Sequence, residues 1–171
     1  MKILKITLAS VFLMACMPII TEAQVTLEFE NASTVLELAK TYTAALQSGD
    51  MGKMDSLLHK DIMVRGLGGG LDSMTKAQHK EYFTNSTNQY KHTLSNELYL
   101  PVKVTNSMNE GERVLSWGLN TITNKSNGKE VRVPYHTVCV IVDGKITRMN
   151  YWYDLMNIAV WQGYTITPPK N

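Results

Sequence analysis

The stretch from Asn127 to Asp154, NGKEVRVPYHTVCVIVDGKITRMNYWYD, leaves few folds open. Two β-rich runs, Val131 to Val142 and Lys145 to Tyr153, flank Asp143-Gly144. A tight hairpin turn that matches strand twist needs positive φ, which Gly takes freely and Asp tolerates. A long antiparallel hairpin is the expectation. Its second arm ends in Tyr151-Trp152-Tyr153 and then Asp154. A carboxylate that closes an aromatic strand points to a polar group at the rim or floor of an apolar pocket.

The residues before this hairpin read as helices first and strands later. Thr34 to Glu37 fits a capping box, and Val35, Leu38, Ala39, Tyr42, Ala45 and Leu46 mark one helical face that stops at Gly49. Asp50 is placed to cap a second, shorter helix carrying Met51, Met54, Leu57 and Leu58. A short strand is expected at Ile62 to Arg65. The Gly-rich run that follows has neither a Lys-Ser/Thr nor the G-x-G-x-x-G spacing, so it reads as a turn or bulge rather than a phosphate loop. Ser73 or Thr75 caps a third helix to about Tyr90, with Ala77, Tyr82 and Phe83 inward. Two alternating strands then precede the hairpin. One carries Leu98, Leu100, Val102 and Val104, with Pro101 demanding an edge or bulge; the other carries Leu115, Trp117 and Leu119 on one face. A short apolar helical turn, Leu155 to Trp161, closes the series. Such an order is an α+β pattern.

At the N-terminus, Lys2 and Lys5, the apolar run from Ile6 to Ile20 and Thr21-Glu22-Ala23 read as a secretory signal cleaved after Ala23. The expected division is then 1–23 signal peptide, 24–32 lead-in, 33–163 one domain and 164–171 tail, and the location is periplasmic or secreted. Leu13-Met14-Ala15-Cys16 also resembles a lipobox, which would instead anchor the protein through Cys16. Without the first 23 residues the formal charge falls from +2 to near +1. No basic stripe remains, which argues against nucleic acid, and nothing else is apolar enough to span a membrane. Cys139 is left alone and reads as a small buried hydrophobe.

Several features together resemble a SnoaL-like member of the nuclear transport factor 2-like superfamily. They are the element order, the helix ending at Gly49-Asp50, the Val142 to Ile146 turn, the strand closing on Tyr153-Asp154 and the tail Trp161-Gln162-Gly163. The resemblance covers about Ser33 to Gly163. It implies a cone-shaped α+β fold, three N-terminal helices on a strongly curved, mainly antiparallel sheet, often dimerised through the sheet's outer face. Function it leaves open, because this superfamily holds cyclases, isomerases, dehydratases, epoxide hydrolases and non-catalytic binders.

Two residues are candidates for acid–base chemistry. Asp154 matches the cyclase-type aspartate near the end of the last strand, and it also suits a plain helix cap at Leu155. His136 on the preceding strand would be its partner. In an unbulged hairpin His136 faces Tyr151, and the two candidates point to opposite faces; one bulge near Thr147-Arg148 brings them to a shared face. Tyr42, Tyr82, Trp117 and Trp152 are the expected ligand-binding aromatics, with core packing or a dimer face as the plain alternative. No His or Cys spacing suggests a metal, and no cofactor is expected. Three functions fit: binding of a small, mostly apolar or carbonyl-containing molecule, acid–base turnover by a cofactor-independent enzyme, or a non-catalytic homodimeric assembly domain.

Overall fold

The computed structural model describes residues 23–67 and 72–167. The expected signal peptide and lipobox lie almost wholly outside them, as do Gly68 to Gly70 and the end of the tail. In chain order the elements are β1 (Gln24–Thr26), α1 (Ala32–Ser48), α2 (Met51–Ser56), β2 (Leu58–Arg65), β3 (Ser73–Met74) and α3 (Lys76–Gln89). They continue as β4 (Tyr90–Thr105), β5 (Gly111–Asn124), β6 (Glu130–Val142), β7 (Lys145–Tyr153) and α4 (Leu155–Trp161). One seven-stranded sheet runs β1-β4-β5-β6-β7-β2-β3. Every pairing is antiparallel except β2 with β7. The fold is α+β, with three N-terminal helices as expected and α4 beyond the last strand.

The hairpin forms at Asp143-Gly144, both at positive φ (49° and 69°), and Val142 pairs with Lys145. Its register shifts once. Ile141 pairs with Ile146 but Val140 pairs with Arg148, so Thr147 is the extra residue of a bulge. From there Thr137 pairs with Tyr151 and Tyr135 with Tyr153 on the inner face, while His136 pairs with Trp152 on the outer face.

Helix ends follow local chemistry. Asp50 accepts from Lys53 N at 2.8 Å, and Thr75 with Gln78 forms a capping box at the start of α3. The first helix begins earlier than its sequence suggests. Asn31 takes the N-cap position without a side-chain cap, because its amide donates instead to Glu112 Oε1 at 3.2 Å. Thr34 thus lies inside the first turn, and Glu37 pairs with Lys40 rather than reaching back. Pro101 is tolerated because β1 covers β4 only at Lys103 to Thr105, leaving an open edge beside the proline.

The core lies between α1 and the inner face of the sheet. Val35, Ala39, Tyr42, Ala45 and Leu46 from α1 meet Val114, Cys139, Ile141, Ile146 and Met149 from the strands. Cys139 is buried, and burial pushes its thiol up to about 12. Ala77, expected to face inward, is exposed; His79 and Phe83 are the buried residues of α3. Among the described residues no helix is long and apolar enough to cross a membrane.

Candidate functional site

Beyond this core the helices and the sheet part around a cavity of about 390 Å³, a size common for small-molecule sites. Seven elements contribute to its walls. Tyr42 and Leu46 project from α1, and Tyr82, Phe83 and Ser86 from α3. Inward strand positions supply His92 and Leu94 (β4), Asn120 and Ile122 (β5), Val133, Tyr135 and Thr137 (β6), and Tyr151 and Tyr153 (β7). Ile158 and Trp161 of α4 close one side. Most of this lining is apolar or aromatic, with hydroxyl and amide groups set into it.

Two glycines make room for the aromatic wall. At φ +90° Gly66 lets the end of β2 pass the backbone of Tyr151, and a Cβ there would run into the Tyr151 carbonyl. Gly118 lies under the ring of Tyr135, whose atoms would stand 2.7–2.8 Å from an added Cβ. An alanine at either position would have to displace a wall of the cavity.

A buried polar chain ends at the cavity surface. His79 Nε2 lies 2.7 Å from Tyr42 Oη, and Tyr42 is hydrogen-bonded in turn to the Tyr151 hydroxyl. Burial lowers the His79 imidazole to about 4, against a smaller opposing pull from Asp55. Burial likewise holds the Tyr42 and Tyr151 phenols well above their ordinary value. The chain is therefore neutral at physiological pH, and its polarity depends on the imidazole tautomer. With the proton on Nε2, His79 donates to Tyr42, Tyr42 donates to Tyr151, and Tyr151 offers a hydroxyl hydrogen to the cavity. With the proton on Nδ1 the chain reverses and Tyr151 offers lone pairs.

The residues singled out from the sequence divide between the two faces of the sheet. Tyr42 and Tyr82 line the cavity. Trp117 and Trp152 do not: they sandwich His136 on the outer face, with ring centroids 4.8 and 5.1 Å from the imidazole. His136 Nδ1 lies 3.0 Å from the Ser116 carbonyl oxygen. The bulge that would give His136 and Asp154 a shared face does occur, at Thr147, but the face is the outer one. Asp154 stands one residue past β7, exposed, and its Oδ1 accepts from Asn157 N at 2.9 Å as the N-cap of α4. In place of an Asp154–His136 pair, the cavity has the His79–Tyr42–Tyr151 chain. Among the described residues no cluster of His, Cys, Asp and Glu has the makings of a metal site.

His79, His92, Ser86 and Asn120 were not among the residues singled out, yet patterns for them exist. His79, Tyr82, Phe83 and Ser86 follow the i, i+3, i+4, i+7 spacing of one helical face. His92 shares strand parity with Leu94, and Asn120 with Ile122. Counting only apolar residues hides both patterns.

Comparison with known proteins agrees with this architecture. The profile of the SnoaL-like domain matches residues 39–149. No curated protein matches the chain. Among solved structures, a candidate polyketide cyclase from Pseudomonas putida KT2440 superposes with a TM-score of 0.61 at 20% identity, covering 74% of this chain and 96% of that one. A candidate isomerase from Bacillus subtilis gives 0.64 at 15%, covering 79% and 96%. An LEH-like epoxide hydrolase from M. tuberculosis gives 0.59 at 13%, covering 75% and 89%. At such identities the likeness is one of fold. With the profile spanning more than half of its length, the chain belongs to the SnoaL-like domain family.

Proposed function

We propose that this is an exported SnoaL-like protein that holds a small, mostly apolar molecule in its cavity, with one oxygen of that molecule against Tyr151 and Tyr42. The supporting observation is the neutral chain from His79 to Tyr151, which ends on an otherwise largely apolar wall. A carbonyl takes the hydroxyl hydrogen in one tautomer, and an alcohol takes the lone pairs in the other. The direct test is titration with 2-acetylnaphthalene. Saturable binding is expected, flat from pH 7 to pH 9 because His79 titrates near 4, burial holds His92 below its ordinary value, and the Tyr42 and Tyr151 phenols titrate far above their usual range. Tyr151→Phe should weaken it about tenfold, the worth of one buried hydrogen bond. Absence of binding, or indifference to Tyr151→Phe, sinks the reading.

The second reading is acid–base turnover of the cyclase, isomerase or dehydratase type, favoured by the 2.7 Å bond between Tyr42 and His79. Phenols held neutral beside a carbonyl stabilise developing enolate charge. What weighs against turnover is the lack of a carboxylate base: the cavity lining holds no carboxylate among the described residues, its one imidazole, His92, has both ring nitrogens engaged, and Asp154 serves as a helix cap. Deuterium exchange at the methyl group of the same ketone in D2O separates the two readings. Exchange above the buffer rate, abolished by Tyr42→Phe, would make the protein an enzyme.

Export and dimerisation belong to the same proposal. The N-terminal signature supports export, and the mature protein should begin at Gln24 by mass. On the outer face Leu98 (61% exposed) and Trp152 (53%) lie beside Leu100, Leu115 and Trp117, an apolar surface that suits a second copy of the chain. Light scattering should give a dimer, and Trp152→Glu a monomer.

A further inference from the structure

At the far end of the cavity from Tyr151 there is a second polar group of residues that the proposed function does not use. His92 is buried, and both its ring nitrogens are engaged: Nδ1 with Asn120 Nδ2 at 3.0 Å, and Nε2 with Ser86 Oγ at 2.9 Å. All three residues line the cavity, and so does Trp161. Burial lowers the imidazole's pKa, so it is neutral. With Nδ1 accepting from the Asn120 amide, Nε2 carries the hydrogen and donates it to Ser86. The Ser86 hydrogen is then not spent on His92.

Two buried polar atoms at this end have no partner among the described residues: Asn120 Oδ1 and Trp161 Nε1. Buried polar groups nearly always have one, and each exception calls for a physical explanation. The Asn120 amide has two polar heads and His92 engages only one. Turning the amide over would exchange which head is left unpaired without pairing both. With the amide as placed, this end carries an unpaired acceptor, Asn120 Oδ1, and an unpaired donor, the Trp161 indole N–H, just beneath the cavity surface, beside the Ser86 hydroxyl.

We infer that the cavity takes an elongated ligand with a second polar terminus, a carboxamide or an undissociated carboxylic acid, whose donor meets Asn120 and whose acceptor meets Ser86 or Trp161. The two termini are not served by one functional group. Tyr151 pairs with Thr137 and Thr137 with Ser116, and Asn120 lies four residues further along β5. Strand spacing and rise then put Tyr151 and Asn120 roughly 16 Å apart at Cα. Side chains converging on the cavity shorten that span, but one carbonyl cannot reach both ends. The sites are separated by the apolar middle of the cavity, so the ligand is apolar in the middle and polar at both ends.

This inference rests on the cavity-binding reading, and its test keeps the two apart. The probes are 2-acetylnaphthalene and 6-acetyl-2-naphthamide, which differ by one carboxamide at the far end. With the whole mature protein, the amide is expected to bind about tenfold more tightly than the ketone, one hydrogen bond's worth. That preference should collapse in Asn120→Leu and in Ser86→Ala; the serine variant, with the smaller change, keeps the test valid if the leucine variant does not fold. Should the ketone bind and respond to Tyr151→Phe while the amide gains nothing, or should the gain survive both variants, the second terminus is disproved and the first site stands. Failure of both probes to bind overturns the cavity reading and this inference with it.

Discussion

The inner and outer faces of the β6–β7 hairpin carry similar residues to opposite ends. Tyr135, Thr137, Tyr151 and Tyr153 face the cavity; His136 and Trp152, each one residue away, face out and stack with Trp117. On the inner side a histidine and two tyrosines form a dry hydrogen-bonded chain. On the outer side a histidine and two tryptophans form a half-exposed stack that suits association. Composition does not separate the two faces. Strand parity does, and a single bulge at Thr147 sets which inward residues of the two arms stand opposite each other.

The sharpest contrast is in stability. Met149 is fully buried on the inner face, and Met149→Ala should cost about 2–5 kcal/mol, read as a drop in the urea midpoint. Trp152→Ala on the outer face should cost the isolated protomer far less; equal losses would mean that the outer face is core after all.

Next comes pH. His79 titrates near 4 when folded and near its ordinary 6.5 when unfolded. Between these values the unfolded chain binds more protons, so stability rises with pH across the window. The contribution is fully present above pH 6.5 and is lost as pH falls toward 4, with an upper bound of about 3 kcal/mol. Urea titrations at pH 7, 5.5 and 4 on wild type and His79→Gln isolate it. A parallel pair of curves would show that His79 is not held neutral by the fold.

Tyr42→Phe breaks the same chain from its middle. It leaves the buried His79 Nε2 without its partner and should cost about 1–3 kcal/mol, as well as weakening ketone binding. Asp154→Ala tests the cap: a loss of about 1 kcal/mol is expected, with ketone binding changed only so far as α4 shifts. Loss of binding with no loss of stability would restore Asp154 as a site residue. The smallest effect is assigned to His136→Ala, which should leave ketone affinity unchanged and act on the dimer alone. A tenfold fall in affinity would return His136 to the site.

Much of the fold can be read directly from residues. Asp143-Gly144 fixes a hairpin because few other dipeptides take both positive φ values cheaply. Asp50 and Thr75 start their helices with their own side chains. The site is less legible. Asp154 and His136 look reactive by residue type, yet one is spent on a backbone amide and the other lies behind the sheet. His79 and His92 look incidental because neither belongs to a recognisable motif with a paired carboxylate. They acquire meaning only where α3 and β4 cross the inner face.

What the chain determined by itself is local: turns, caps, the alternation of the strands and the family profile over residues 39–149. These depend on backbone conformations and side chains only a few residues apart, so the code for them is short. Tertiary structure alone decided which parity faces inward and which histidine meets a tyrosine 37 residues away. It also decided which buried polar atoms are left without a partner among the described residues. Those outcomes depend on how a bulged, curved sheet packs against α1 and α3, where a shift of one residue exchanges cavity for surface.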